Sequence, residues 1–120
     1  PVPRYVLWEQ AQAFRAHTMC LVENDQVTKA GPQGKRCLDL MALIKQRDGD
    51  RREAYVIRDH VIILKAFASI ARAHKEAFAP LEYEELWKSY LVEADAAIAT
   101  NSLPQDMIDN HEAVKKRGFP

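Results

Sequence analysis

Residues 51–79 read RREAYVIRDHVIILKAFASIARAHKEAFA, and apolar side chains fill almost every side of one long helical pattern. Val56, Ile63, Phe67 and Ile70 line one face, and Ile57, Val61, Leu64, Ala68 and Ala71 line the next. Only the stripe through Arg58, Lys65, Ser69, Arg72 and Glu76 is left for water. A surface helix needs one apolar face, so a helix apolar nearly all round must be wrapped by neighbours on several sides. The stretch predicts a central helix over residues 52–78, the longest in the chain, spanning roughly 40 Å at about 1.5 Å per residue.

Toward the N-terminus, residues 4–23 follow Pro3 and place Leu7, Ala11, Phe14, Thr18 and Leu21 on one stripe at helical spacing. Residues 28–34 hold two Gly and a Pro, which neither helix nor strand accommodates well, and read as an ordered loop. A second helix carries Cys37, Leu38, Met41 and Ile44 and ends near Arg47, before an Asp48-Gly49-Asp50 turn. Asp50 suits the N-cap of the central helix, because its carboxylate can accept from the free amides of the first turn.

Toward the C-terminus, Pro80 lacks the amide a continuing helix requires and disfavours helical geometry at Ala79, which ends the central helix. A fourth helix aligns Tyr83, Trp87, Tyr90, Leu91, Ala94 and Ile98. Ser102 suits the cap of a short last helix with Pro104 in its first turn, and Lys115-Lys116-Arg117 suits the negative end of that helix's dipole. No strand pattern competes. The expected fold is all-α: a single domain over residues 1–120, a bundle of four or five helices around a long central one, with short extended arms at Pro1-Val2-Pro3 and Gly118-Phe119-Pro120.

Seventeen Lys and Arg balance seventeen Asp and Glu, so the cationic excess of a free-standing nucleic-acid binder is missing. The longest apolar run, Leu40 to Ile44, is far short of the roughly 18 residues of a membrane span, so no transmembrane segment is expected. Pro1-Val2-Pro3-Arg4 lacks the layout of a secretory signal, and no Asn-x-Ser/Thr acceptor occurs, which favours an intracellular address. Cys20 and Cys37 fit no common zinc or haem spacing; each falls in an apolar helical stretch and reads as a buried free thiol, with a disulfide left open.

Histidines are where a metal site in a helical bundle would show. Glu-x-x-His and His-x-x-x-His bring two ligands onto one helix face, and neither pattern occurs. His17 and Cys20 share a face, but two ligands make half a site, so no metal and no cofactor is expected. His60 falls between Val56 and Leu64 on the core side of the central helix, with Asp59 pointing about 100° away. That placement suits a satisfied core histidine better than an acid or base. Glu82, Glu85 and Glu93 project in similar directions and read as a solvated face. Gly31-Pro32-Gln33-Gly34-Lys35-Arg36 places two cations where a helix start would offer free amides to an anion. It is not a Walker loop, which needs four residues between its glycines and a Ser or Thr after the Lys.

The expected function is a non-catalytic protein–protein interaction module or accessory subunit, acting on a partner protein or by self-association. Its candidate interface residues are Trp8, Tyr83, Trp87, Tyr90 and Phe119, since Tyr and Trp combine large contact area with a polar tip. A nucleic-acid-associated regulator using Lys29, Lys35, Arg36, Arg51 and Arg52 is the alternative, and a small enzyme built round His60 is the third. An enzyme should show a concave polar pocket at His60. A subunit should expose an apolar patch.

Overall fold

A computed structural model describes residues 1–117. Phe119 and the rest of the C-terminal arm lie outside the described residues. The chain is an all-α bundle of α1 (Arg4–Glu23), α2 (Val27–Asp48), α3 (Ala54–His74), α4 (Tyr83–Ala99) and α5 (Gln105–Arg117). Short 3-10 turns follow α2 at Gly49–Arg51 and α3 at Lys75–Phe78. No helix among the described residues is long and apolar enough to cross a membrane.

The apolar stripes dictate the packing. α1 turns back on α2 through a short corner, where Asp25 adopts φ 59° and the Gln26 amide donates to the Leu21 carbonyl at 2.8 Å. α1 and α3 run the same way, since Arg4 meets Glu53 and Trp8 meets Asp59. α3 lies at the centre with ten buried residues, including Ile63 and Phe67 at zero exposure; its Ser69 and Arg72, and Glu76 in the 3-10 turn that follows, are open to water. Truncating such side chains costs about 2–5 kcal/mol each, so this helix anchors the core. α4 returns along α3, and α5 closes over Tyr90 and Asp95 through His111.

The expected loop at residues 28–34 is instead the first part of α2. Val27, Ala30, Gly31, Gly34, Cys37, Met41 and Ile44 form one continuous buried stripe at spacings of three and four. Packing on that stripe overrides the weak helix propensity of glycine, and Pro32 sits on the exposed side. The two glycines are small because the α3–α4 connection crosses α2 there. A Cβ on Gly31 would stand 2.5 Å from the Phe78 carbonyl oxygen and 2.8 Å from the Ala79 carbonyl carbon. With its added turns α2 has 22 residues against 21 in α3, so the central helix is not the longest.

Two expected caps also differ. Asp50 belongs to the first 3-10 turn, and the Glu53 carbonyl takes the first α3 bonds, from Val56 at 2.9 Å and Ile57 at 3.2 Å. Ser102 turns back to the Thr100 hydroxyl at 2.9 Å, leaving the Pro104 carbonyl to accept from Met107 and Ile108. α3 itself stops at His74, where Lys75 takes φ 46°.

Candidate functional site

An open cleft of about 660 Å³ lies between α2 and α4, with α3 as its floor. α2 and α4 run in the same direction beside it: Gly34 abuts Leu81 near the start of α4, and eleven residues further along α2, Lys45 pairs with Glu93. α2 supplies Lys35, Leu38, Asp39, Ala42 and Lys45, a stripe at helical spacing. α4 and the residues just before it supply Leu81, Glu82, Glu85, Leu86, Ser89 and Glu93, and α3 supplies His60 and Leu64. The floor is mostly apolar and the rim is charged.

At one end the cleft carries a polar cluster. Glu93 is 5% exposed and is held by Lys45 on Oε1, while His60 Nδ1 faces Oε2 at 3.6 Å, too far for a hydrogen bond. His60 is 6% exposed, and its Nδ1 has no hydrogen-bond partner among the described residues. Burial pushes its pKa down to about 4, and the opposing pull of Glu93 is offset in part by Arg52 and Lys45. The imidazole is therefore neutral near pH 7. Arg52 is buried close by, with Nε donating to the Gly49 carbonyl at 2.7 Å and Nη1 lacking a partner among the described residues. The carboxylate facing His60 is thus Glu93 from α4. Asp59 instead accepts from the Trp8 indole at 3.0 Å and from Gln12.

Glu93 is not part of a solvated face. It occupies the inner stripe of α4 between Tyr90 and Ala97, a position its spacing already marks. Glu82 and Glu85 remain exposed on the rim, and no cation among the described residues pairs with either. Lys65 donates to Asn110 at 2.9 Å, and Arg72, which lies over the Tyr83 ring at 5.9 Å, shares a neighbouring concavity with Lys75 and Glu82.

The candidate aromatic interface is largely internal. Tyr83, Trp87 and Tyr90 stack with ring centroids 6.3 and 4.9 Å apart, and Tyr90 meets His111 edge-on at 5.5 Å. Trp87 is 3% and Tyr90 2% exposed, Tyr90 meeting α5 through His111, while Tyr83 is half-buried. Burial also raises the Tyr90 pKa. Trp8 is half-buried and packs edge-on to Tyr55 at 5.4 Å, beside exposed Tyr5. Tyr55 is itself exposed, and Val2, Leu43 and Val92 are the other exposed large apolar side chains among the described residues.

The candidate anion contacts do not converge. Lys29 and Arg51 stand at opposite ends of α2. Lys35 is paired with Asp39, and Arg36 lies over the Phe14 ring at 5.7 Å, both inside the helix rather than at a start with free amides. Arg52 is 7% exposed and turns inward. Cys37 is buried, with its pKa pushed up to about 12, whereas Cys20 is exposed on the side of α1 away from Thr18; neither is in a disulfide. No three His, Cys, Asp or Glu side chains among the described residues gather where they could hold a metal ion.

Comparison with known proteins adds no identification: no family model, no curated protein and no solved structure matches this chain.

Proposed function

We propose that this chain is a non-catalytic helical interaction module that docks a partner protein in the cleft between α2 and α4. The observation that carries the reading is the cleft itself, an open concavity of about 660 Å³ with accessible Leu38, Ala42 and Pro80 between charged side chains of α2 and α4. It moves the interface away from the aromatic stripe of α4, which serves as core. Three features weigh against catalysis at His60. An acid or base works best with a pKa near the operating pH, and His60 lies well below it, at about 4. Glu93 is too distant to orient the ring, at 3.6 Å. No hydroxyl or thiol is hydrogen-bonded to His60 among the described residues. The dispersal of Lys29, Lys35, Arg36, Arg51 and Arg52 weighs against a nucleic-acid surface.

The test is the native mass of the chain in extracts of its source, followed by hydroxyl-radical footprinting of the assembly and of the free chain. The mass should exceed 13.7 kDa, and Leu38 and Pro80, the accessible apolar residues of the cleft, should lose reactivity in the assembly. A chain that remains monomeric, or an assembly that leaves these residues as reactive as before, refutes the proposal.

A further inference from the structure

α5 is attached to the bundle differently from the other four helices. We infer that it is a displaceable strap: it opens from the α3–α4 face and closes again as one unit while α1 to α4 stay folded, with the hydrogen bond between His111 and Asp95 as its latch. The concavity under α5 shares no residue with the cleft between α2 and α4, so the strap is independent of what docks there.

The apolar grip on α5 is thin. Its inward stripe is Met107, Ile108, His111 and Val114, and of its 13 residues only His111 is buried, whereas each of the other helices buries at least 3. Met107, Ile108 and Val114 are half-buried against the core. Among the described residues no other helix lies closely along the α5 backbone, in contrast to α1 along α2 and α3 along α4. An open concavity of about 500 Å³ runs beside its first turns, shared by Asp106, Met107 and Asn110 with Val61, Ile62, Ala66 and Tyr90. An element with so little buried apolar surface opens at a free energy well below that of the whole fold.

What anchors α5 is polar. His111, at zero exposure, donates from Nε2 to Asp95 Oδ1 at 2.9 Å, and Tyr90 meets its ring edge-on. That bond is the largest of the effects that hold the Asp95 carboxyl below its ordinary range. Lys115 on the same oxygen at 3.4 Å and Lys65 on Asn110 at 2.9 Å are exposed contacts, which are worth little in water. The latch also carries a cost: His111 Nδ1 is buried with no hydrogen-bond partner among the described residues, a penalty that opening into water removes. A half-satisfied polar anchor on a thin apolar face favours closure by a small margin, which is the condition for reversible release. Opening uncovers Tyr90, at the end of the aromatic stripe of α4, so the strap controls access to a residue that is core when it is closed.

The experiment is native-state amide hydrogen exchange of the whole chain, read residue by residue at several urea concentrations below the unfolding transition. The hydrogen-bonded amides of residues 109–116 should exchange together, with protection at least about a hundredfold lower than that of Ile63 and Phe67 in α3. Their exchange should depend weakly on urea, because opening the strap exposes little surface, whereas that of Ile63 and Phe67 should follow urea with the slope of global unfolding. Asp95→Ala, at an exposed position of α4, removes the acceptor of the latch and should speed exchange across residues 109–116 roughly tenfold. Exchange of α5 with the same protection and the same urea dependence as α3 would make α5 an integral part of the fold and overturn the strap. Protection that falls evenly from residue 109 to residue 116 would show fraying from one end and overturn opening as a unit. Unaltered α5 exchange in Asp95→Ala overturns the latch.

Discussion

Replacing Gly31 with Ala sets two effects of opposite sign against each other, and the geometry decides between them. In an isolated helix Ala is favoured over Gly by about 1 kcal/mol. In this chain the new methyl group would meet the backbone of the α3–α4 connection, 2.5 Å from the Phe78 oxygen and 2.8 Å from the Ala79 carbon. These atoms belong to main chain and cannot rotate away. The connection would have to lift from α2, disturbing Phe78, which is fully buried, and Leu81, which is 7% exposed. Overpacking of this kind costs about 1–3 kcal/mol, and partial loss of a buried Phe adds to it. The expected net effect is a destabilisation of about 2–4 kcal/mol. Gly34→Ala is the internal control. Its nearest obstacles are side-chain atoms, Leu81 Cδ1 at 2.9 Å and Phe67 Cε2 at 3.3 Å, so a small rotamer change combined with the helix preference should leave it within about 1 kcal/mol of neutral. Urea unfolding followed by helical circular dichroism measures both, with an unchanged slope showing that the transition remains comparable. If Gly31→Ala is as stable as Gly34→Ala, the connection is not seated on α2 and the account of the glycines is wrong.

Ile63→Ala and Phe67→Ala should each destabilise by about 2–5 kcal/mol, and Lys65→Ala should cost far less; equal losses in the same urea assay would mean that α3 is rotated. The depressed pKa of His60, about 4, predicts acid sensitivity. The unfolded chain takes up the proton first, so stability is full above the ordinary histidine value of about 6.5 and is lost as pH falls through the folded value, by about 3 kcal/mol at most. His60→Gln should flatten that part of the pH–stability curve, and parallel curves for variant and parent would contradict it. A thiol reagent should label Cys20 alone in the native chain and both cysteines after unfolding; rapid native labelling of Cys37 would contradict its burial.

Much of this architecture is legible in the sequence because helical periodicity is a strong signal where the apolar residues are large. Residues 4–23 and the stripe through Ile63 and Phe67 carry that signal. It weakens where a buried position is small. At Gly31 and Gly34 the core contact is made by backbone approaching backbone, so the residues that pack α2 resemble residues that break a helix. The interior role of Glu93 was also encoded, by its spacing from Tyr90 and Ala97, but a carboxylate in an apolar stripe reads as exposed until its partner is known. That partner, Lys45, comes 48 residues earlier. No local pattern links the two. The cleft is less legible still, because it is defined by which helix faces remain uncovered after packing. Trp87 and Tyr90 illustrate the converse: their chemistry suits an interface, yet both are core, with His111 of α5 packed against Tyr90.

The way α2 meets the α3–α4 connection also bears on the order in which the chain folds. α1 with α2 and α3 with α4 are hairpins between neighbours in sequence, and contacts of short sequence separation form quickly. The seam at Gly31, Phe78 and Leu81 joins the two hairpins across nearly fifty residues, so its contacts are expected to consolidate late, after most of the helical surface is already buried. Late contacts are weak in the transition state, and their loss appears mainly as faster unfolding. The stability lost in Gly31→Ala should therefore be seen mostly in the unfolding arm of the kinetics, making this seam the place where a small change most shortens the lifetime of the folded chain while leaving its rate of formation almost as it was.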